Sequence, residues 1–419
     1  MTLTNWARNI TFSTDRLHLP TSVEQLQELV AGSPRVRALG TGHSFNRIAD
    51  TAGDLVSVRH LPKDITVTGS GDAATVSVHG GANYGEVAVA LQAEGLALPN
   101  MGSLPHISVA GACATGTHGS GDGNQCLAAG AVAVEFVGGD GELVRTTGAD
   151  PEFGGSVLAL GALGVVTRVE LATVPTFDVR QDVWLDVPID RVVENFDEIM
   201  ASAYSISMFD DPATGRQIDR LWIKTRIDPG DPTGVASAPD GTRWGGRAAT
   251  TQQHCLTDHD ASASTAQLGV PGPWHERLPH FRLDFQPSSG AEQQSEYLVP
   301  REHGAAALLA VQSLELREVL LGAEIRTIAA DDLWLSPCRG RASVGVHFTW
   351  RDLDAEVVRA AAAVEEVLAP FDGRPHWGKV FSSDPAAHIE RLADFRALVA
   401  RHDPERKFGN DFLAQHLGI

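Results

Sequence analysis

Two glycine-rich stretches constrain the fold of this chain more than any other feature: GTGHSFN at 40–46 and SVAGACATGTHGSG at 108–121. The first follows RVRAL (35–39), which alternates as a strand does, and Gly40, Gly42 and Ser44 break that strand into a tight loop. Such a turn can point several backbone N–H groups at one anion, which suggests a pyrophosphate. The second lies within LPNMGSLPHISVAGACATGTHGSG (98–121), too rich in Gly, Ser and Thr and too poor in charge for an ordinary surface loop. Its small residues let backbone approach a flat ligand closely. As a pair the two walls favour a large cofactor. His43 is then either a local cap of a backbone group or an imidazole beside the rings of a bound dinucleotide; in its neutral, nucleophilic form it could be joined to them covalently.

The elements around these walls do not alternate strand with long helix. Thr21-Ser22-Val23-Glu24, followed by Leu26, Leu29 and Val30, predicts a capped helix leading into RVRAL. LVSVRHL, ITVTG and ATVSVHGG predict short strands, and a helix follows from Tyr84 to Ala93. VAVEFVGGDGELVRTTG predicts a hairpin turning at Gly138 to Gly141, and LGVVTRVELATV a strand closing a first unit over 1–178. From Val179 the composition shifts. RLWIKTRID, HFRLDF, AEIRTIA and SVGVHFTW predict strands, with Ala- and Leu-rich helices near 302–321 and 354–369. That order predicts a sheet with helices on one face over 179–374. The stretch 227–268, rich in Pro, Gly, Asp and Ser, is long for a loop and predicts a mobile excursion or a lid. A last segment, 375–419, carries His376, Trp377, Lys379 and the helix IERLADFRALVARH, and is expected to pack back on the first unit. The fold class is α+β; a doubly wound Rossmann domain is disfavoured.

A formal net charge of -20 over 419 residues, with no basic run, excludes nucleic acid and anionic membrane as partners. A neutral or cationic small molecule is the easier substrate. The amino terminus, MTLTNWARNI, has no charged region followed by an apolar one, and no stretch approaches the ~18 apolar residues of a membrane span. The expectation is a cytoplasmic monomer. Cys113, Cys126, Cys255 and Cys338 show neither CxxC spacing nor an accompanying histidine pattern, which predicts structural free thiols and no metal.

In AEIRTIA, Glu324 and Arg326 are two apart and share one face of a strand. They form either a solvated stripe or an ion pair lining a polar pocket. His347 and Thr349 share a face of SVGVHFTW in the same way, as a satisfied sheet histidine or a pocket group. Lys379 is by default an exposed lysine.

RVRALGTGHSFN, LPNMGSLPHISVAGACATGTHGSG, HWGK and the terminal DPERKFGN, in that order, resemble the FAD-linked oxidases of the vanillyl-alcohol oxidase type, and within them the sugar-lactone and alditol oxidase branch. AEIRTIAADDLWLSP, PGPWHERLPHF and SGAEQQSEYLVPRE are similar to the alditol oxidase members. The resemblance covers nearly all of the chain except about 227–262. It implies a PCMH-type FAD-binding domain over 1–178, a substrate domain over 179–374 whose sheet is covered by helices, and a tail over 375–419 packed on the FAD domain.

The resemblance further implies FAD held covalently through His43, with Ala38, Leu39, Gly40, Thr41, Gly42 and Ser44 on the pyrophosphate side. Ser103, Ser108, Gly111, Thr115, Gly116, Thr117, His118, Val165 and His376 would complete the cofactor contacts. No cysteine stands where a second flavin bond would form. A polyol such as xylitol, sorbitol or glycerol would be held by Ser103, Gln294, Glu324, Arg326, Thr349 and Lys379. Arg326 and Lys379 would stabilise the alkoxide and His347 would take the proton, with O2 reduced to H2O2. Gly102 stands where related dehydrogenases shield the flavin with alanine, which favours an oxidase. An aldonolactone oxidase or dehydrogenase is the alternative within the family, and a binding protein without flavin the alternative outside it.

Overall fold

The computed structural model describes residues 2–212, 215–230, 238–285, 290 and 292–419; residues 231–237 of the polar stretch lie outside the described residues. Ser22 caps the helix Val23–Gly32, accepting from the Gln25 amide at 3.3 Å, and Leu26 and Val30 bury one face of it. That helix delivers the chain into Val36–Ala38, which joins Asp54–Val56 and Leu17–His18 in a parallel three-stranded sheet. LVSVRHL yields only Asp54–Val56 as strand and then a helical turn at Val58–His60. The ladder stops where the backbone packs on Gly81, at which a Cβ would stand 2.6 Å from the Val58 oxygen.

An antiparallel five-stranded sheet follows, ordered Ile65–Thr68, Thr75–His79, Val165–Ala172, Ala131–Val137, Leu143–Thr147. The helix Tyr84–Ala93 starts in a capping box made by Asn83 and Glu86. VAGACAT, part of the second glycine-rich wall, forms a helix over Val109–Thr115. Its residues are small and it has no charged face, so no helical period shows in the sequence. The C-terminal helices Leu392–His402 and Asp411–Leu417 bring Phe395, Leu398, Leu413 and Leu417 into one core with Val76, Val134 and Val169.

The largest sheet among the described residues is antiparallel and nine-stranded. Its main path runs Arg247–Ala248, Asp178–Pro188, Gln217–Ile227, Ser205–Asp210, Leu320–Ile328, Ser343–Arg351, Glu292–Pro300, Arg374–Pro375. The long strand Asp178–Pro188 and the helices Ile189–Glu194 and Phe196–Met200 went unmarked in the sequence. HFRLDF is not a strand: Phe281 makes an isolated bridge to Ser264, and the amides of His280 and Arg282 donate to Ser103 and Ala263. The helix expected near 302–321 ends at Gln312, and the neighbouring strand begins at Leu320. Period-two alternation divides the sheet into two faces. Ile206, Met208, Leu221, Ile223, Ile325, Val346 and Phe348 pack under the helices Gly304–Gln312 and Asp354–Leu368. Their neighbours Phe209, Lys224, Glu324, Arg326 and His347 lie on the opposite face. All four cysteines are free thiols, Cys255 alone being partly exposed. Among the described residues no helix is long and apolar enough to cross a membrane, and no group of three His, Cys, Asp or Glu could hold a metal ion.

Candidate active site

A cavity of about 710 Å³ lies between the two glycine walls and the polar face of the large sheet. All residues of 38–44 line it, with Ser103, Ser108, Gly111, Thr115, Thr117, His118, Val165 and His376. Gly116 does not line it. It ends the Val109–Thr115 helix at φ +73°, a left-handed turn that glycine takes without strain. Gly102 also stands behind the wall, where an added Cβ would touch Thr117, Ile107 and Leu127 at 3.6 to 3.8 Å.

The walls fit a dinucleotide. A Cβ at Gly40 or Gly111 would come within 2.6 or 2.7 Å of Ser108 Oγ, so the two walls close on the Ser108 hydroxyl with room only for glycine at both positions. The His43 ring stacks on Trp6, centroids 5.1 Å apart, and its Nδ1 is 2.9 Å from Thr41 Oγ1. Its Nε2 is buried without a hydrogen-bond partner. Burial, then the neighbouring His106, pulls its pKa down to about 4, so the imidazole is neutral. A neutral ring with an unpartnered nitrogen, beside a glycine loop whose backbone N–H groups could meet a pyrophosphate, fits FAD. Trp6 carried no signal in the sequence that tied it to the loop.

The opposite wall carries Gln294, Glu324, Arg326, His347, Thr349 and Lys379, and the structure brings all six to the one cavity. Arg326 donates to Glu296 Oε1 at 2.8 Å and to Ser103 Oγ at 3.5 Å, with Glu324 Oε1 3.6 Å from its Nε. Burial opposes its charge, but Glu324 and Glu296 outweigh burial and raise its pKa. Glu324 accepts from His280 Nε2 at 2.8 Å. Its burial is outweighed by Arg326 and His280, which hold the carboxyl well below the usual range.

Lys379 is not exposed. Asn46, from the first glycine loop, donates to the carbonyls of Trp377 and Lys379 at 2.8 and 2.7 Å, while the amides of His376 and Val380 donate to Glu296 and Gln294. The segment is thus stitched between loop and sheet edge. Lys379 Nζ donates to Gln294 Oε1 and to His347 Nδ1, the latter at 3.1 Å. Because lysine only donates, His347 Nδ1 accepts, and Nε2–H is left to donate to Thr349 Oγ1 at 3.3 Å. Burial and then Lys379 lower the His347 pKa to about 4, and burial lowers that of Lys379 to about 8 against the pull of Glu296.

The residue missed in the sequence is Glu296. Its 1% exposed carboxylate gathers Arg326 at 2.8 Å, His118 at 3.1 Å, His347 at 3.4 Å and Lys379 at 3.8 Å. The signal was available, since Gln294 and Glu296 are two apart in EQQSEYLVP and so share a face. The polar stretch 227–268 is also part of the site, supplying His254, Leu256 and His259 to the cavity wall.

Residues 14–147 match the FAD binding domain family, and residues 291–416 the D-arabinono-1,4-lactone oxidase family. The chain is 47% identical to an alditol oxidase from Streptomyces sp. (strain IKD472 / FERM P-14339), with 98% of each chain covered. It is 30% identical to an L-gulono-1,4-lactone dehydrogenase of Mycobacterium tuberculosis, over 99% of this chain and 98% of that one. In fold it is similar to a solvent-stable cholesterol oxidase, with a TM-score of 0.77 over 100% of this chain and 97% of the other at 16% identity. Glycine walls that fit FAD, matches to an FAD binding domain and an oxidase domain, and full-length similarity to alditol oxidase agree: the chain belongs to the alditol oxidase family of FAD-dependent oxidoreductases.

Proposed function

We propose that the protein oxidises the terminal primary alcohol of open-chain polyols, such as xylitol, sorbitol and glycerol, to the aldose. The observation that carries this reading is the density of charged and hydrogen-bonding side chains on the sheet wall of the cavity. A buried substrate hydroxyl left unpaired costs about 1–3 kcal/mol, so only a site with many donors and acceptors takes a polyol. The glycine walls would hold FAD, with His43 as its covalent attachment, and the bound group would supply the hydride acceptor, with O2 as the final electron acceptor giving H2O2. Arg326 and Lys379 stabilise the charge that develops on the reacting oxygen. His347, kept neutral and already protonated on Nε2, accepts the hydroxyl proton at Nδ1 once Lys379 turns its hydrogen bond from that nitrogen to the substrate oxygen. Ser103, Gln294, Glu324 and Thr349 bind the remaining hydroxyls. The domains divide at 178 and 374, and the enzyme works in the cytoplasm as a monomer, which its elution volume checks.

Oxygen uptake with xylitol, sorbitol and glycerol, set against aldonolactones, tests the activity. Polyols are expected to outperform lactones, and O2 an acceptor dye; the reverse order makes the protein an aldonolactone oxidase or dehydrogenase. The covalent link is checked by acid precipitation. Wild-type colour is expected to stay with the pellet, whereas His43→Ala is expected to release its flavin to the supernatant or to hold none.

A further inference from the structure

Behind Glu324 lies a buried charge that the proposed chemistry does not use. Lys224, 1% exposed, sits on the strand Gln217–Ile227, with only the strand Ser205–Asp210 between it and the strand of Glu324. A buried ammonium is tolerated only if its protons find acceptors. Three are present: Leu278 O at 2.5 Å, Pro279 O at 3.4 Å and His280 Nδ1 at 3.3 Å. Burial lowers the Lys224 pKa to about 7 against the pull of Glu324, so below that pH the ammonium donates, His280 Nδ1 accepts, and the neutral ring carries its proton on Nε2. That proton faces Glu324 Oε1 at 2.8 Å. The ring is held edge-on between Phe209 and Trp222, centroids 5.5 and 5.2 Å away, and Phe209 is itself paired with Glu324 across the strands.

Every group in this chain therefore points its proton toward Glu324. Oε1 is occupied by His280, with Arg326 Nε 3.6 Å from it, while Oε2 makes no hydrogen bond among the described residues. We propose that Lys224 and His280 are positioning residues that keep Glu324 ionised and oriented, with Oε2 presented as an acceptor. Such an oxygen takes a hydroxyl donor and rejects an ether or carbonyl oxygen at the same place. The relay thereby selects open-chain polyols long enough to bring a distal hydroxyl to Glu324. Burial supports the scheme by lowering the His280 pKa, which keeps that ring neutral.

The inference rests on the reading of Glu324 as a substrate ligand, and a double-mutant cycle on the flavin-loaded enzyme separates the two. Lys224→Met and Glu324→Gln are each expected to raise KM for xylitol by about tenfold or more, with a smaller change in kcat and a smaller rise in KM for glycerol. In the Glu324→Gln background, Lys224→Met is expected to add nothing. An unchanged xylitol KM in Glu324→Gln overturns the ligand reading itself. A raised KM there, with a Lys224→Met effect that multiplies onto it, overturns the relay alone. The wild-type protein gives an independent readout that needs no variant to fold: in a spectrum of 15N-histidine-labelled enzyme, His280 is expected as the neutral Nε2–H tautomer, and an Nδ1–H tautomer or an imidazolium contradicts the proposal.

Discussion

Arg326→Lys is expected to lower kcat/KM for xylitol by about 10²- to 10³-fold while the flavin stays bound, the loss typical of removing one preorganised donor from a developing oxyanion. Arg326 reaches Glu296, Ser103 and the neighbourhood of Glu324 together, which a planar five-donor group can do and a point charge cannot. Lysine is the informative substitution because it keeps the charge between two buried carboxylates. Alanine would leave Glu296 and Glu324 facing each other without a cation, and an unpaired buried charge costs about 3–5 kcal/mol of stability, so a dead variant would say little. Anaerobic single-turnover rates check the prediction. A wild-type rate of flavin reduction in Arg326→Lys would remove Arg326 from the chemistry.

Glu296→Gln is expected to move the alkaline limb of the activity profile to lower pH. Lys379 is charged below its pKa of about 8, so activity that needs the ammonium falls as pH rises through that value. Glu296 raises that pKa, and Arg326 lowers it; Glu324 and Glu292 raise it further, while His347 receives its hydrogen bond. At 3.8 Å and an effective dielectric near 20, the Glu296 to Lys379 attraction is about 4 kcal/mol. Even partial loss of it lowers the Lys379 pKa by about one unit or more, since one unit is about 1.4 kcal/mol. Gln keeps the shape and the hydrogen-bonding ends of the side chain, so a change confined to packing leaves the limb where it was. Profiles of kcat/KM against pH for the two proteins decide between these outcomes, and an unmoved limb contradicts the placement of Glu296 as the counter-charge.

Much of this site was legible in the sequence wherever a short period or a glycine carried the information. Glu324 with Arg326, and His347 with Thr349, share a cavity-facing side of adjacent strands, as their spacing predicts. GTGHSFN lines the cavity where its glycines allow close approach. Illegible were the relations between segments. Glu296 has the same two-residue spacing from Gln294, yet its importance comes from four groups that arrive from four other parts of the chain. His280 lies in HFRLDF, whose alternation imitates a strand although its amides bind loop carbonyls. VAGACAT hides a helix because a helix of small residues, packed into a wall, has no polar stripe to mark its period. The strand DVRQDVWLDVP does show strict alternation of buried and partly exposed positions, and is the element that closer attention to period would have found.

The most direct test of the account is to mix the purified protein with xylitol in the absence of oxygen, follow the visible flavin absorbance, and then admit air. A polyol oxidase bleaches on mixing and regains its colour in air with H2O2 equimolar to the aldose formed. Protein that stays yellow with xylitol but bleaches with an aldonolactone, or that carries no colour at all, contradicts it.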